Sequence, residues 1–149
     1  MSDLLIVAHA PLASALLAVA QHVYPECRSR VHALDVPAQW PAEQVEQRLR
    51  AELTEFGEDD VLVLVDVFGA TPCKAAQAVV AERPRTRLVA GVNVPMLWRS
   101  VCYADCTLDE LVERAVGGAQ SGVMHVASAR RQNQPGRTSS DDHEPHHDQ

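Results

Sequence analysis

The stretch Val61-Leu62-Val63-Leu64-Val65-Asp66-Val67-Phe68-Gly69-Ala70-Thr71-Pro72 decides the fold. Five consecutive branched apolar residues read as a strand covered on both faces, the situation of a parallel sheet between two layers of helices. The run ends in a carboxylate and a turn containing small residues, and Thr71 and Pro72 then supply an N-cap and a first helical residue. Upstream, Leu4-Leu5-Ile6-Val7-Ala8 is a second continuous apolar run, and it ends at His9. Leu12, Leu16, Val19 and Val23 follow at helical spacing and predict a helix closed by Pro25. Val31 to Val36 is a weaker strand. A helix starting near Pro41 follows, with Val45, Leu49, Leu53 and Phe56 on its inner face and Gly57 as its stop.

Downstream, Arg87 to Val92 predicts a fourth strand and Val94 to about Tyr103 a short helix. Thr107-Leu108-Asp109-Glu110 fits a capping box, so a last helix opens there, and Gly117 and Gly118 are expected to end it. Val123 to Ala127 reads as a late fifth strand, either an antiparallel edge strand or one exchanged with a partner subunit. Alternation of strands and helices predicts an α/β fold with one domain over residues 1–128. Residues 129–149 are polar, contain Pro135-Gly136 and lack apolar periodicity, so a disordered tail is expected.

The 149 residues are 46% hydrophobic and 22% charged, enough apolar material for a core. A net charge of −7 is the wrong sign for a protein that gains affinity by neutralising phosphates, so nucleic acid is excluded as an expected partner. The chain opens without a cationic leader, and no run approaches the ~18 apolar residues of a membrane span. A cytoplasmic location without membrane insertion is expected. Cys27, Cys73, Cys102 and Cys106 lack zinc-site spacing and read as reduced thiols. His143, His146 and His147 lie among acidic residues of the tail, where metal binding would be adventitious, and neither a metal nor a cofactor is expected. His22, His32 and His125 read as packing or surface residues.

The chemistry concentrates where two strands end. Ligands of doubly wound sheets gather beyond the carboxyl ends of the strands, at the point where strand order reverses. In the flavodoxin-like order 2-1-3-4 the first and third strands are neighbours, and His9 then faces Asp66. A carboxylate that accepts the Nδ1 proton fixes the tautomer and leaves Nε2 as a nucleophile. It also steadies the positive charge that develops when Nε2 is phosphorylated. The turn at Gly69, Ala70, Thr71 and Pro72 adds the N-terminus of a helix, whose free N–H groups and Thr71 hydroxyl suit phosphoryl oxygens. Asn93, at the end of the fourth strand, lines the same crevice. A histidine after a strand is by itself more often a packed or solvated residue; the joint placement carries the expectation.

Three segments also carry a resemblance: Leu5-Ile6-Val7-Ala8-His9 with Leu12-Ala13, Val63 through Cys73, and Gly91-Val92-Asn93-Val94-Pro95-Met96-Leu97. In this order they resemble the signature segments of the mannose-type IIA component of the bacterial phosphoenolpyruvate:sugar phosphotransferase system, over about residues 3 to 128. The resemblance implies a flavodoxin-like homodimer that exchanges its late strand. It also implies that His9 is phosphorylated by the carrier protein HPr, with Asp66 as its carboxylate partner and Thr71 as the hydroxyl on the phosphoryl group, and that a IIB component accepts the group for sugar phosphorylation and uptake. Three positions depart from the family pattern. Ala10-Pro11 stands where a glycine usually follows the histidine, Ala70 replaces the second glycine of the Phe-Gly-Gly turn, and Lys74 replaces a common asparagine. A positive φ at position 70 would make Ala70 strain or alter the loop. Lys74 is either a cation that attracts phosphate or a solvated surface charge.

Other functions fit the same residues. A regulatory module would use the roughly two negative charges of a phosphoryl group on His9 to change its affinity for a target protein. A phosphodonor part of a dihydroxyacetone kinase and a ligand-binding domain that is never phosphorylated are further alternatives.

Overall fold

The computed structural model describes residues 1–127. In chain order these form β1 (Asp3–His9), α1 (Leu12–Val23), a 3-10 turn (Pro25–Ser29), β2 (Val31–Val36), α2 (Ala42–Thr54), β3 (Val61–Val65), α3 (Thr71–Val80), β4 (Thr86–Ala90), α4 (Val94–Cys102) and α5 (Leu108–Ser121). The strands make one sheet in the order β2-β1-β3-β4, every pair parallel. This is the flavodoxin-like arrangement, with β1 and β3 side by side at its centre.

Strand periodicity splits the core into two layers. Leu4, Ile6 and Ala8 of β1 and Leu62 and Leu64 of β3 face one side, against α1, α4 and α5. Leu5 and Val7 of β1 and Val61, Val63 and Val65 of β3 face the other, against α2 and α3. Every residue of β3 is buried, which is why its sequence does not alternate. Few long side chains are needed where helices sit close. Ala13 and Ala20 bring α1 onto the sheet, and Ala75 and Ala76 do the same for α3.

β4 ends at Ala90, two residues before the expected limit. The Val65 carbonyl accepts from both Gly91 N–H and Val92 N–H, each at 3.0 Å, and Gly91 turns the chain with φ +88°. The predicted capping box is present: the Thr107 hydroxyl accepts from Glu110 N–H at 3.3 Å, and Glu110 Oε2 accepts from Thr107 N–H at 3.1 Å.

Two expectations at the end of the domain are corrected. α5 does not stop at Gly117 and Gly118 but continues to Ser121. A Cβ built on Gly118 would lie 2.8 Å from Cβ of Arg99 and 3.3 Å from the Pro95 carbonyl, so this glycine permits α5 to pack against α4. Residues 123–127 form no fifth strand within the chain and pair with none of the four strands; Val123, Met124 and Val126 stay exposed. The exchanged-strand alternative concerns a second chain. The expected tail, including His143, His146 and His147, lies outside the described residues.

Candidate functional site

β1 and β3 deliver His9 and Asp66 to one point because they are hydrogen-bonded neighbours in register, Val7 opposite Val65. Asp66 Oδ2 accepts from His9 Nδ1–H at 2.6 Å and from His9 backbone N–H at 3.0 Å. Its other oxygen, Oδ1, accepts from Val67 N–H at 2.9 Å. The Asp66 carboxylate is therefore sunk in the turn, 11% exposed, while the His9 side chain is 49% exposed. Burial alone would raise the Asp66 pKa, but the hydrogen bonds from the His9 ring and from the two backbone amides outweigh it, and the pKa lies below the ordinary value of 3.8. An ionised carboxylate only accepts, so Nδ1 carries the imidazole proton and Nε2 keeps the lone pair.

The turn after Asp66 leads into α3. Gly69 takes φ +88°, whereas Ala70 has φ −83° and ψ 170°, ordinary extended backbone. The alanine at position 70 therefore brings no strain, because the left-handed residue of this turn is Gly69. One predicted role shifts by a residue: Ala70 is the N-cap of α3 and Thr71 its first helical residue, and no side chain caps the helix. The extended backbone of Ala70 places it just outside the helix, and Pro72 occupies the second helical position with no N–H to satisfy. The start of α3 thus has no side-chain cap, and Thr71 at its first position is exposed. Lys74 is exposed on the same first turn.

Asn93 holds the neighbouring helix. Its Oδ1 accepts from Met96 N–H at 2.9 Å as the N-cap of α4, and its Nδ2 donates to the Ala119 carbonyl of α5 at 3.3 Å. Both ends of the amide are engaged in joining α4 to α5.

Two features of the site escaped the sequence reading. Asp35, near the end of β2, accepts from Ser14 N–H at 3.0 Å and so caps α1, the helix that follows His9. Its signal was a lone carboxylate late in an otherwise mostly apolar strand. Phe68, 74% exposed, and the exposed Val67 put apolar surface into the turn between Asp66 and Thr71. Among the other histidines, His32 packs edge-on against Phe56 with ring centres 4.8 Å apart, and His22 and His125 lie exposed on the surface. All four cysteines are free thiols, with Cys27 and Cys73 buried. No helix among the described residues is long and apolar enough to cross a membrane.

The family described as the fructose IIA component of the phosphotransferase system, EIIA-man, matches residues 3–116. The chain belongs to this family. Its relatives include the mannose-specific EIIAB component of Escherichia coli (strain K12), 35% identical over 85 residues, a match covering 55% of this chain and 26% of that protein. The chain thus spans about a quarter of the length of that relative. A fructose-specific EIIA component of Bacillus subtilis (strain 168) is 52% identical over 40 residues, 27% of either chain. Among solved structures, the mannose/sorbose specific IIA subunit from Enterococcus faecalis superimposes with a TM-score of 0.80 at 28% identity, over 85% of this chain and 96% of that one. An EIIA component from Streptococcus agalactiae shares the fold, with a TM-score of 0.76 at 23% identity over 84% and 97% of the two chains. His9, Asp66, Gly69 and Thr71 all lie within the matched segment.

Proposed function

We propose that this IIA protein carries a phosphoryl group on Nε2 of His9, accepting it from phospho-HPr and passing it to a IIB component for sugar phosphorylation and uptake. The observation that carries the reading is the 2.6 Å bond from His9 Nδ1–H to Asp66, which commits the proton to one nitrogen and frees the other on a half-exposed ring. In the transfer, the phosphorus–nitrogen bond of the donor histidine breaks as a bond to Nε2 forms. The Nδ1 proton stays in place, and the Asp66 carboxylate stabilises the imidazolium character that the ring acquires. Gly69, Ala70 and Thr71 receive the phosphoryl oxygens at the open start of α3, with the Thr71 hydroxyl as a further donor. Asn93, its amide already engaged, bounds the crevice by fixing α4. The barrier is lowered by positioning and by electrostatics, as in other phosphoryl transfers.

Exposed Phe68 and Val67 in the turn that follows Asp66 support protein partners, which cover apolar surface as they dock. A homodimer belongs to the same reading. The segment 123–127 carries three large exposed apolar side chains, Val123, Met124 and Val126, and β4 is an edge strand of the sheet to which a partner's segment adds in this reading.

The deciding experiment is intact mass spectrometry after incubation with phosphoenolpyruvate, enzyme I and HPr, beside a His9→Ala variant. The expected result is the gain of one acid-labile phosphoryl group by the wild type alone. No gain with demonstrably active HPr overturns the carrier reading.

A further inference from the structure

β1 runs between two strands, so its last residue, His9, is flanked by β3 on one side and β2 on the other. Asp66 holds the β3 flank. The β2 flank is held by the last two residues of β2, Asp35 and Val36, which lie opposite Ala8 and His9. The Val36 carbonyl accepts from Ala10 N–H at 3.0 Å and so extends the pairing one residue past His9. Asp35 Oδ1 accepts from Ser14 N–H at 3.0 Å. The Ser14 hydroxyl in turn donates to the Pro11 carbonyl at 3.1 Å, which also accepts from Ala15 N–H at 3.1 Å. Ala10 and Pro11 are the whole connection between His9 and α1, and these bonds tie it to β2 at both of its ends.

α1 depends on this outside carboxylate. The first N–H groups of a helix have no intrahelical acceptor, and the side chain of the N-cap residue ordinarily takes one of them. The N-cap of α1 is Pro11, whose side chain cannot accept, and the first turn contains no acidic residue. Asn93 and Thr107, by contrast, cap the helices that they themselves precede. A cap of that kind orders only its own helix end. A cap that reaches across from β2 fixes the start of α1 relative to the sheet, and with it the connection that leaves the reactive histidine. Placement is what phosphoryl transfer demands of a protein: the reacting atoms must meet about 3–3.5 Å apart and aligned, and a displacement of about 1 Å caused from a distance can slow a reaction about a hundredfold.

The geometry points to Asp35 as a positioning residue for phosphoryl transfer, acting through Ser14 and the Ala10–Pro11 connection to hold His9 in line with the donor. This role rests on His9 being the phosphoryl carrier. The test compares Asp35→Ala, Asp35→Asn and Thr107→Ala in the full chain, at a temperature where thermal melts show each of them folded. Thr107 is the control. It caps α5 at the other end of the sheet, where Asp109 meets Arg87 near the start of β4, and its loss removes a cap of the same kind. Asp35→Ala should lower the maximal rate of His9 phosphorylation at saturating phospho-HPr about tenfold, with the half-saturating concentration unchanged. Asp35→Asn, whose amide oxygen still accepts from Ser14 N–H, should stay within about twofold of the wild type, and Thr107→Ala should match it. A wild-type rate in Asp35→Ala, equal slowing in Thr107→Ala, or an Asp35→Asn as slow as Asp35→Ala overturns the proposal.

A second readout needs no donor protein. The ¹⁵N shifts of the His9 ring report its tautomer, which should be protonated at Nδ1 in the wild type, Asp35→Asn and Thr107→Ala, and move toward a mixture of tautomers in Asp35→Ala. Ring shifts unchanged in Asp35→Ala overturn the positioning role whether or not the chain is phosphorylated. A wild type that takes up no phosphoryl group from active HPr overturns the carrier reading instead.

Discussion

Asp66 grips His9 twice through one oxygen, Oδ2 accepting the ring Nδ1–H at 2.6 Å and the backbone N–H at 3.0 Å. The two bonds do different work. The backbone bond places the residue at the end of β1, and the ring bond sets its tautomer and orientation. Removing the carboxylate should therefore harm chemistry more than structure. Asp66→Asn is expected to slow phosphorylation of His9 by about two to four orders of magnitude, because an amide can donate to Nδ1 and stabilise the wrong tautomer. His9→Ala should abolish labelling altogether. Rapid-quench mass spectrometry of the phosphorylated fraction measures both, and an Asp66→Asn rate equal to wild type would remove Asp66 from the mechanism.

The same carboxylate makes stability depend on acid. Burial raises the Asp66 pKa, the hydrogen bonds from His9 and Val67 outweigh it, and the net displacement is downward from 3.8. A group depressed in the folded state contributes stability above its unfolded pKa and loses it as pH falls through the folded pKa. Scanning calorimetry of wild type and Asp66→Asn from pH 6 downward should show a melting-temperature difference that is constant above about pH 4 and shrinks below it. A difference independent of pH would contradict the assignment.

Gly69 and Ala70 sit side by side in the turn but differ in backbone conformation, φ +88° against φ −83°. No atom lies within 4 Å of a Cβ built on Gly69, so Gly69→Ala is penalised by its backbone alone, at about 1–2 kcal/mol. Ala70→Gly should cost only about 0.4–1 kcal/mol, through the greater freedom of the unfolded chain. Urea unfolding of the two variants gives the comparison, and a larger loss for Ala70→Gly would refute it.

Gly117 and Gly118 are adjacent in α5 and should respond to alanine with opposite signs. A Cβ at Gly117 meets nothing within 4 Å, so Gly117→Ala gains up to about 1 kcal/mol of helix propensity. At Gly118 the added methyl would press on Arg99 and on the Pro95 carbonyl, and Gly118→Ala should lose about 1–3 kcal/mol as α5 is pushed away from α4. Thermal melts of the pair decide the matter.

Much of this protein was legible in its sequence because its signals are local. Val61 to Val65 lacks polar residues, and a strand with no wet face belongs between two helical layers; the alternation of elements then gives the doubly wound fold. The capping box at Thr107 and Glu110 is likewise complete within four residues, and the structure reproduces it. His9 and Asp66 could be named as partners because each ends an apolar strand and the sheet order makes those strands neighbours.

What the sequence could not settle depends on groups that are distant along the chain. Gly118 reads as a helix stop, and only the approach of Arg99 and Pro95 reveals it as a packing residue. Asp35 reads as an ordinary polar residue until β2 lies beside β1 and brings its carboxylate to Ser14 N–H. The turn from Asp66 to Thr71 has its composition in the sequence, but which residue adopts the left-handed conformation is decided by how the chain must leave β3 to start α3. Hydrophobic periodicity and caps act over a few residues, so one sequence determines them; close approach, cavities and tertiary hydrogen bonds exist only once the sheet has brought separate elements together.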